Sequence, residues 1–76
     1  MTEEEAKKIA METFKKAYDL QVAGEFDDAI EQYKRSIEIF PTAEAHTFLG
    51  WTYSFQGRYD DAIAECQEAI KIDPEF

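Results

Sequence analysis

Apolar and small residues recur along the chain at intervals of three and four, the spacing that gathers side chains on one face of an α-helix. Ala6, Ile9, Ala10, Thr13, Ala17 and Leu20 make the first series, and Ala29, Ile30, Tyr33, Ser36, Ile37 and Phe40 the second. Residues between the series mark the helix ends. Thr2 with Glu5 reads as a capping box, so the first helix is predicted to begin near Glu3. Gly24 suits the left-handed conformation that ends helices, which gives a long first helix to Ala23, about 30 Å at 1.5 Å per residue. Asp27 and Asp28 stand at the positive end of the second helix's dipole, Pro41 stops that helix, and Thr42 can cap the next. A third helix is predicted from about Ala43 to Gln56, then a turn at Gly57 and a fourth helix from about Tyr59 to Ile72, closed by Pro74.

The second half of this pattern echoes the first. GEFDDAI at 24–30 returns as GRYDDAI at 57–63, a shift of 33 residues. At the same shift Ala17 falls on Gly50, Tyr18 on Trp51, Leu20 on Tyr53, Ile37 on Ile70, Ile39 on Ile72 and Pro41 on Pro74. A repeat of this period belongs to solenoid architectures. The repeated phrase reads as a corner: glycine permits the reversal, Phe26 or Tyr59 wedges it, and the aspartates start the following helix. Ala29 and Ala62 are small where two helix axes must approach. The expected fold is all-α, two stacked helix-turn-helix hairpins with four helices and an extended first helix. Residues 1–76 form one domain on this reading, with an extension at 3–9, repeat one at about 10–42 and repeat two at 43–76.

The first helix carries a second apolar stripe, Met11, Phe14, Tyr18 and Val22, while Lys8, Glu12, Lys15 and Asp19 form a solvated third face. Shifted by 33, the second stripe becomes Glu44, Thr47, Trp51 and Phe55. Trp and Tyr are enriched at binding hot spots, and the indole N–H of Trp51 favours a half-exposed position over a core one.

Residues 43–76 set Leu49-Gly50, Tyr53, Ala62, Ala69 and Pro74 at the intervals of the tetratricopeptide repeat signature, with His46 where Trp is usual and Cys66 where an aromatic is usual. Residues 10–42 fit more loosely, through Ala29, Tyr33 and Pro41. On these residues the chain resembles the tetratricopeptide repeat family. The resemblance implies a non-catalytic scaffold whose stacked hairpins form a concave groove that binds peptides or partner helices. That groove would be lined by Phe14, Tyr18, Gln21, Val22, Thr47, Trp51, Ser54 and Phe55. Tyr18, Val22, Trp51 and Phe55 would form its floor, and Gln21, Thr47 and Ser54 its polar edges. Members that grip chaperone carboxylate tails use Lys and Asn on these helices; here Phe14 and Thr47, and Tyr18 and Trp51, occupy those places, and the chain has no asparagine. An apolar or basic peptide or helix is therefore the expected protein partner.

Repeat counting gives an alternative. Solenoids usually need about three units for stability, and two are present. Ile63, Cys66, Ile70 and Phe76 would then lie on an uncovered end face, available to a second copy in a homodimer or larger stack, or to further repeats of a longer array.

Charge narrows the partner class. The net charge of −9 repels phosphate backbones and anionic lipid, so neither nucleic acid nor membrane is expected. The N-terminal MTEEEAKK lacks the layout of a secretory signal, no run approaches 18 apolar residues, and one cysteine forms no internal disulfide; a cytoplasmic location is expected. No catalytic centre, metal or cofactor is expected. His46 and Cys66 are the only residues of their types, twenty apart on different helices, with no partners at ligand spacing. Cys66 reads as a small buried hydrophobe and His46 as a packing residue. Asp27-Asp28 and Asp60-Asp61 are adjacent on helices and point about 100° apart, unlike a converging catalytic pair.

Overall fold

The computed structural model describes residues 1–75, in which four helices follow one another: α1 Glu3–Val22, α2 Phe26–Ile39, α3 Ala43–Phe55 and α4 Tyr59–Ile72. No strand is present among the described residues. The fold is all-α. Each helix packs against its chain neighbour, so α1 and α2 form hairpin one, α3 and α4 hairpin two, and α3 lies mainly against α2.

The helix ends are set by the residues that the sequence marks. Thr2 Oγ1 accepts from the Glu5 backbone N–H at 3.1 Å while the Glu5 carboxylate accepts from the Thr2 N–H at 3.2 Å, a complete capping box. Those bonds hold the Glu5 carboxyl below the usual carboxylate range. Thr42 caps α3 by accepting from the Ala45 N–H at 3.1 Å. At the corners Gly24 (φ 83°) and Gly57 (φ 76°) take the left-handed conformation that residues with a Cβ avoid. Phe40 and Asp73 are both extended, as residues preceding proline tend to be, and they end α2 and α4.

The core lies between the hairpins. Ala17, Ala29, Ile30, Tyr33, Leu49, Tyr53 and Ala62 form one buried cluster, with Phe14, Leu20, Ile37 and Phe48 packed against it. Small residues allow the close crossings: Ala17 and Ala29 are fully buried, and a Cβ on Gly50 would stand 3.1 Å from the Ala62 carbonyl oxygen and 3.3 Å from Cys66 Sγ. Polar ties cross the same interfaces. Within hairpin one the buried Ser36 hydroxyl donates to the Ala10 carbonyl at 2.8 Å, and the Tyr33 hydroxyl donates to Gln21 Oε1 at 2.6 Å. Within hairpin two, His46 Nδ1 lies 2.8 Å from Glu65 Oε1. Gln56 Nε2 donates to Asp27 Oδ1 at 2.8 Å, tying the end of α3 to the corner of hairpin one.

Three local expectations are corrected. Ile9 sits on the apolar series of α1 but is 41% exposed. Cys66 is half-buried, not enclosed. Of the two corner aromatics, Phe26 is half-buried with its ring 5.6 Å from that of Phe55, whereas Tyr59 is exposed, with no helix packed over it among the described residues.

Candidate functional site

α1 and α3 meet through their aromatic positions, Phe14 and Tyr18 on one and Phe48 on the other. The centre of this surface is Phe48. Its ring centroid lies 4.8 Å from Trp51 in a stacked arrangement, 5.2 Å from Phe14, 6.0 Å from Tyr18 and 6.3 Å from Tyr33. Offset and tilted pairs at these separations contribute about 0.5–1.5 kcal/mol each beyond simple burial. They fix the ring orientations before any ligand arrives.

The eight groove residues named from the sequence fall into different environments. Tyr18, Val22, Trp51 and Phe55 are exposed, with Trp51 49% accessible. Phe14 is half-buried between Tyr33 and Phe48, 5.5 Å from the former, and supports the surface from beneath. Gln21 accepts from Tyr33, so its polar end is engaged within hairpin one. Ser54 donates to the Trp51 carbonyl at 2.6 Å, turning inward on its own helix. Burial, reinforced by nearby Tyr18, pushes the Tyr33 phenol well above its ordinary range, so it remains a hydrogen-bond donor to Gln21.

Two apolar hollows flank the aromatic centre. One of about 280 Å³ lies where α1, the end of α2 and the start of α3 meet, lined by Ala10, Met11, Phe14, Ser36 and Phe40, with Lys7 and Glu44 also contributing. Lys7 Nζ stands 5.3 Å from the Phe40 ring centroid, a cation-π approach. The other, of about 340 Å³, is lined by Thr47, Trp51, Cys66, Ala69, Ile70 and Asp73. It brings Thr47 and Trp51, named for the groove, together with Cys66 and Ile70, named for the end face. Ile63 and Ile70 are both exposed, and Phe76 lies outside the described residues.

Phe48 and Phe40 are the contributors that the repeat pattern misses. Phe48 maps onto Lys15 at the shift of 33, and Phe40 onto Asp73. A search for paired aromatics therefore passes over both. The signal for Phe48 was its spacing alone, three residues before Trp51.

No group of three or more His, Cys, Asp or Glu side chains is arranged to hold a metal among the described residues. Of these types, His46 and Glu65 do meet, as a half-buried pair bridging α3 and α4.

The tetratricopeptide repeat family matches residues 14–75. The chain belongs to the tetratricopeptide repeat family. Sperm-associated antigen 1 of mouse is 27% identical over 74 residues, which is 97% of this chain and 8% of that relative. The rat protein of the same name is 26% identical over the same shares. The chain thus spans less than a tenth of the length of these curated relatives. Tetratricopeptide repeats are in general non-catalytic protein–protein interaction modules, and protein partners are what membership implies. No helix among the described residues is long and apolar enough to cross a membrane.

Proposed function

We propose that the chain binds an apolar peptide or helix with basic flanks along the α1–α3 surface. The observation that carries this reading is the pair of exposed rings, Tyr18 and Trp51, that both meet Phe48, with Val22 and Phe55 exposed one turn further along the same two helices. Large apolar side chains grouped on one side of a small protein are favourable to cover. Preordered rings lose little conformational entropy when covered, which favours affinity. The hollow beside Met11, Phe14 and Phe40 is large enough for one side chain of the ligand, so it supplies an anchor at one end of the row. Basic flanks follow from the net charge of −9, with Glu12, Asp19 and Glu44 exposed on the two helices.

Peptides selected from a random library against the chain, then titrated by calorimetry, test the reading. Tyr18→Ala and Trp51→Ala are expected to weaken the selected peptides by about tenfold or more, the loss typical of a hot-spot aromatic. Molar mass and helicity should not change, since both side chains are about half exposed. Selected peptides whose affinity ignores Tyr18→Ala, or a library that yields none, would overturn it.

A further inference from the structure

The hollow where α1, the end of α2 and the start of α3 meet carries enough chemistry to name its guest. Its apolar lining is Ala10, Met11, Phe14 and Phe40. Two hydroxyls border it, but Ser36 donates to the Ala10 carbonyl and Thr42 caps α3. Two charges remain, Lys7 and Glu44. Lys7 Nζ lies 5.3 Å from the Phe40 ring centroid and 3.6 Å from Glu3, an exposed and therefore weak pair. Glu44 is exposed in the first turn of α3, and its carboxylate forms no ion pair among the described residues. We infer that this hollow takes a tryptophan side chain of the bound peptide, its indole N–H donating to Glu44 and its ring lying beside the Lys7 ammonium. The inference rests on the peptide-binding reading above and names the residue that anchors the peptide.

Size selects against smaller anchors. An apolar cavity of roughly 150 Å³ is enough for a benzene ring. At about 280 Å³ this hollow has room for the second ring of an indole. One phenyl ring, or a leucine, fills about half of it. The lining selects in the same direction. Two phenylalanine rings and a thioether favour an aromatic guest, through tilted ring pairs and sulfur–ring contacts. A cation gains more over indole than over a phenyl or phenol ring, and Lys7 already makes such an approach to Phe40. Covering an indole N–H without an acceptor is unfavourable, and Glu44 places one among the lining residues. Tyrosine has a donor too, but its single ring underfills the space.

The probe is N-acetyl-tryptophanamide, titrated into the intact chain. Met11 is 49% exposed and carries one of only two thioether methyl groups, so its methyl resonance reports an arriving ring. A saturable shift with a dissociation constant of roughly millimolar is expected, at least about threefold tighter than for the phenylalanine or leucine amide. The benzothiophene analogue, which keeps the shape and lacks the N–H, should bind about fivefold more weakly. That gap should vanish in Glu44→Ala and return in Glu44→Gln, which keeps an acceptor oxygen, so the readout follows the hydrogen bond and not the fold. Peptides selected from the library should carry a tryptophan whose replacement by leucine weakens them about tenfold or more. Tyr18→Ala should weaken those peptides yet change the amide's affinity less than about twofold, which separates the anchor from the row. A still Met11 methyl, equal binding of the leucine amide, a benzothiophene gap that survives Glu44→Ala, or selected peptides without tryptophan would overturn the inference and leave the row standing. A library that yields no peptide would overturn the row, and the anchor's role with it.

Discussion

Hairpins one and two share a corner, a helix length at α2 and α4 and a set of small crossing residues, yet equivalent positions differ in burial. Ile30 is 6% exposed and its image Ile63 is 56% exposed. Tyr33 is wholly enclosed, while Cys66 is half-buried. Phe26 meets Phe55 and Tyr59 is exposed. The cause is not the hairpin itself but what lies against it: α3 covers α2, and among the described residues nothing covers α4 in the same way. The ties within the hairpins diverge as well. Ser36 and Tyr33 each bond across hairpin one, whereas at their images Ala69 has no hydroxyl and Cys66 replaces the phenol; hairpin two relies on His46–Glu65 and on Arg58 stacked 4.4 Å over Tyr53. A repeat conserves a backbone plan, and its neighbours decide which side chains become core.

The contrast is broken most severely at Tyr33. Tyr33→Ala removes an enclosed ring and should cost about 3–5 kcal/mol, whereas Cys66→Ala should cost about 1 kcal/mol or less. Urea unfolding followed by circular dichroism measures both, and equal losses would mean that the two hairpins are equally packed. A smaller gap is expected at the isoleucines: Ile30→Ala should cost about 2–4 kcal/mol and Ile63→Ala under about 1. A binder on the end face should raise the second value toward the first. The smallest effect is a pH dependence. Tyr33 has a raised folded-state pKa, so its contribution is complete below the ordinary tyrosine value of about 10 and declines as pH rises above it, where the unfolded chain releases the phenolic proton and the folded one retains it. Urea midpoints should fall across that alkaline window, and Tyr33→Phe should flatten the fall while losing about 1 kcal/mol at neutral pH with the Gln21 hydrogen bond.

The helix plan was legible because its signals are local. Thr2 and Glu5, Gly24, Thr42, Gly57 and the two prolines each act within one turn, and the observed ends fall within a residue of those they imply. The exposed surface of α1 and α3 was legible only in part. Exposure of Tyr18, Val22, Trp51 and Phe55 follows from their place on the first helix of each hairpin. Phe48 did not follow from the repeat, because its image is Lys15, and it is the ring that organises the others. Gln21 and Ser54 looked like free polar edges, but sequence spacing is silent on the partners, Tyr33 and the Trp51 carbonyl, that occupy their hydrogen-bonding groups. Nor could it show that Trp51 and Ile70, nineteen residues apart, line one hollow.

The sequential packing of α1 on α2, α2 on α3 and α3 on α4 also governs how the chain reaches this state. Every major contact closes a loop no longer than one hairpin, so the search pays little loop entropy and should finish in roughly microseconds to milliseconds. Among the described residues α4 packs on α3 alone, so it can unravel and rewind while α3 still covers Tyr33, and its amides should exchange with solvent hydrogen sooner than those around Tyr33.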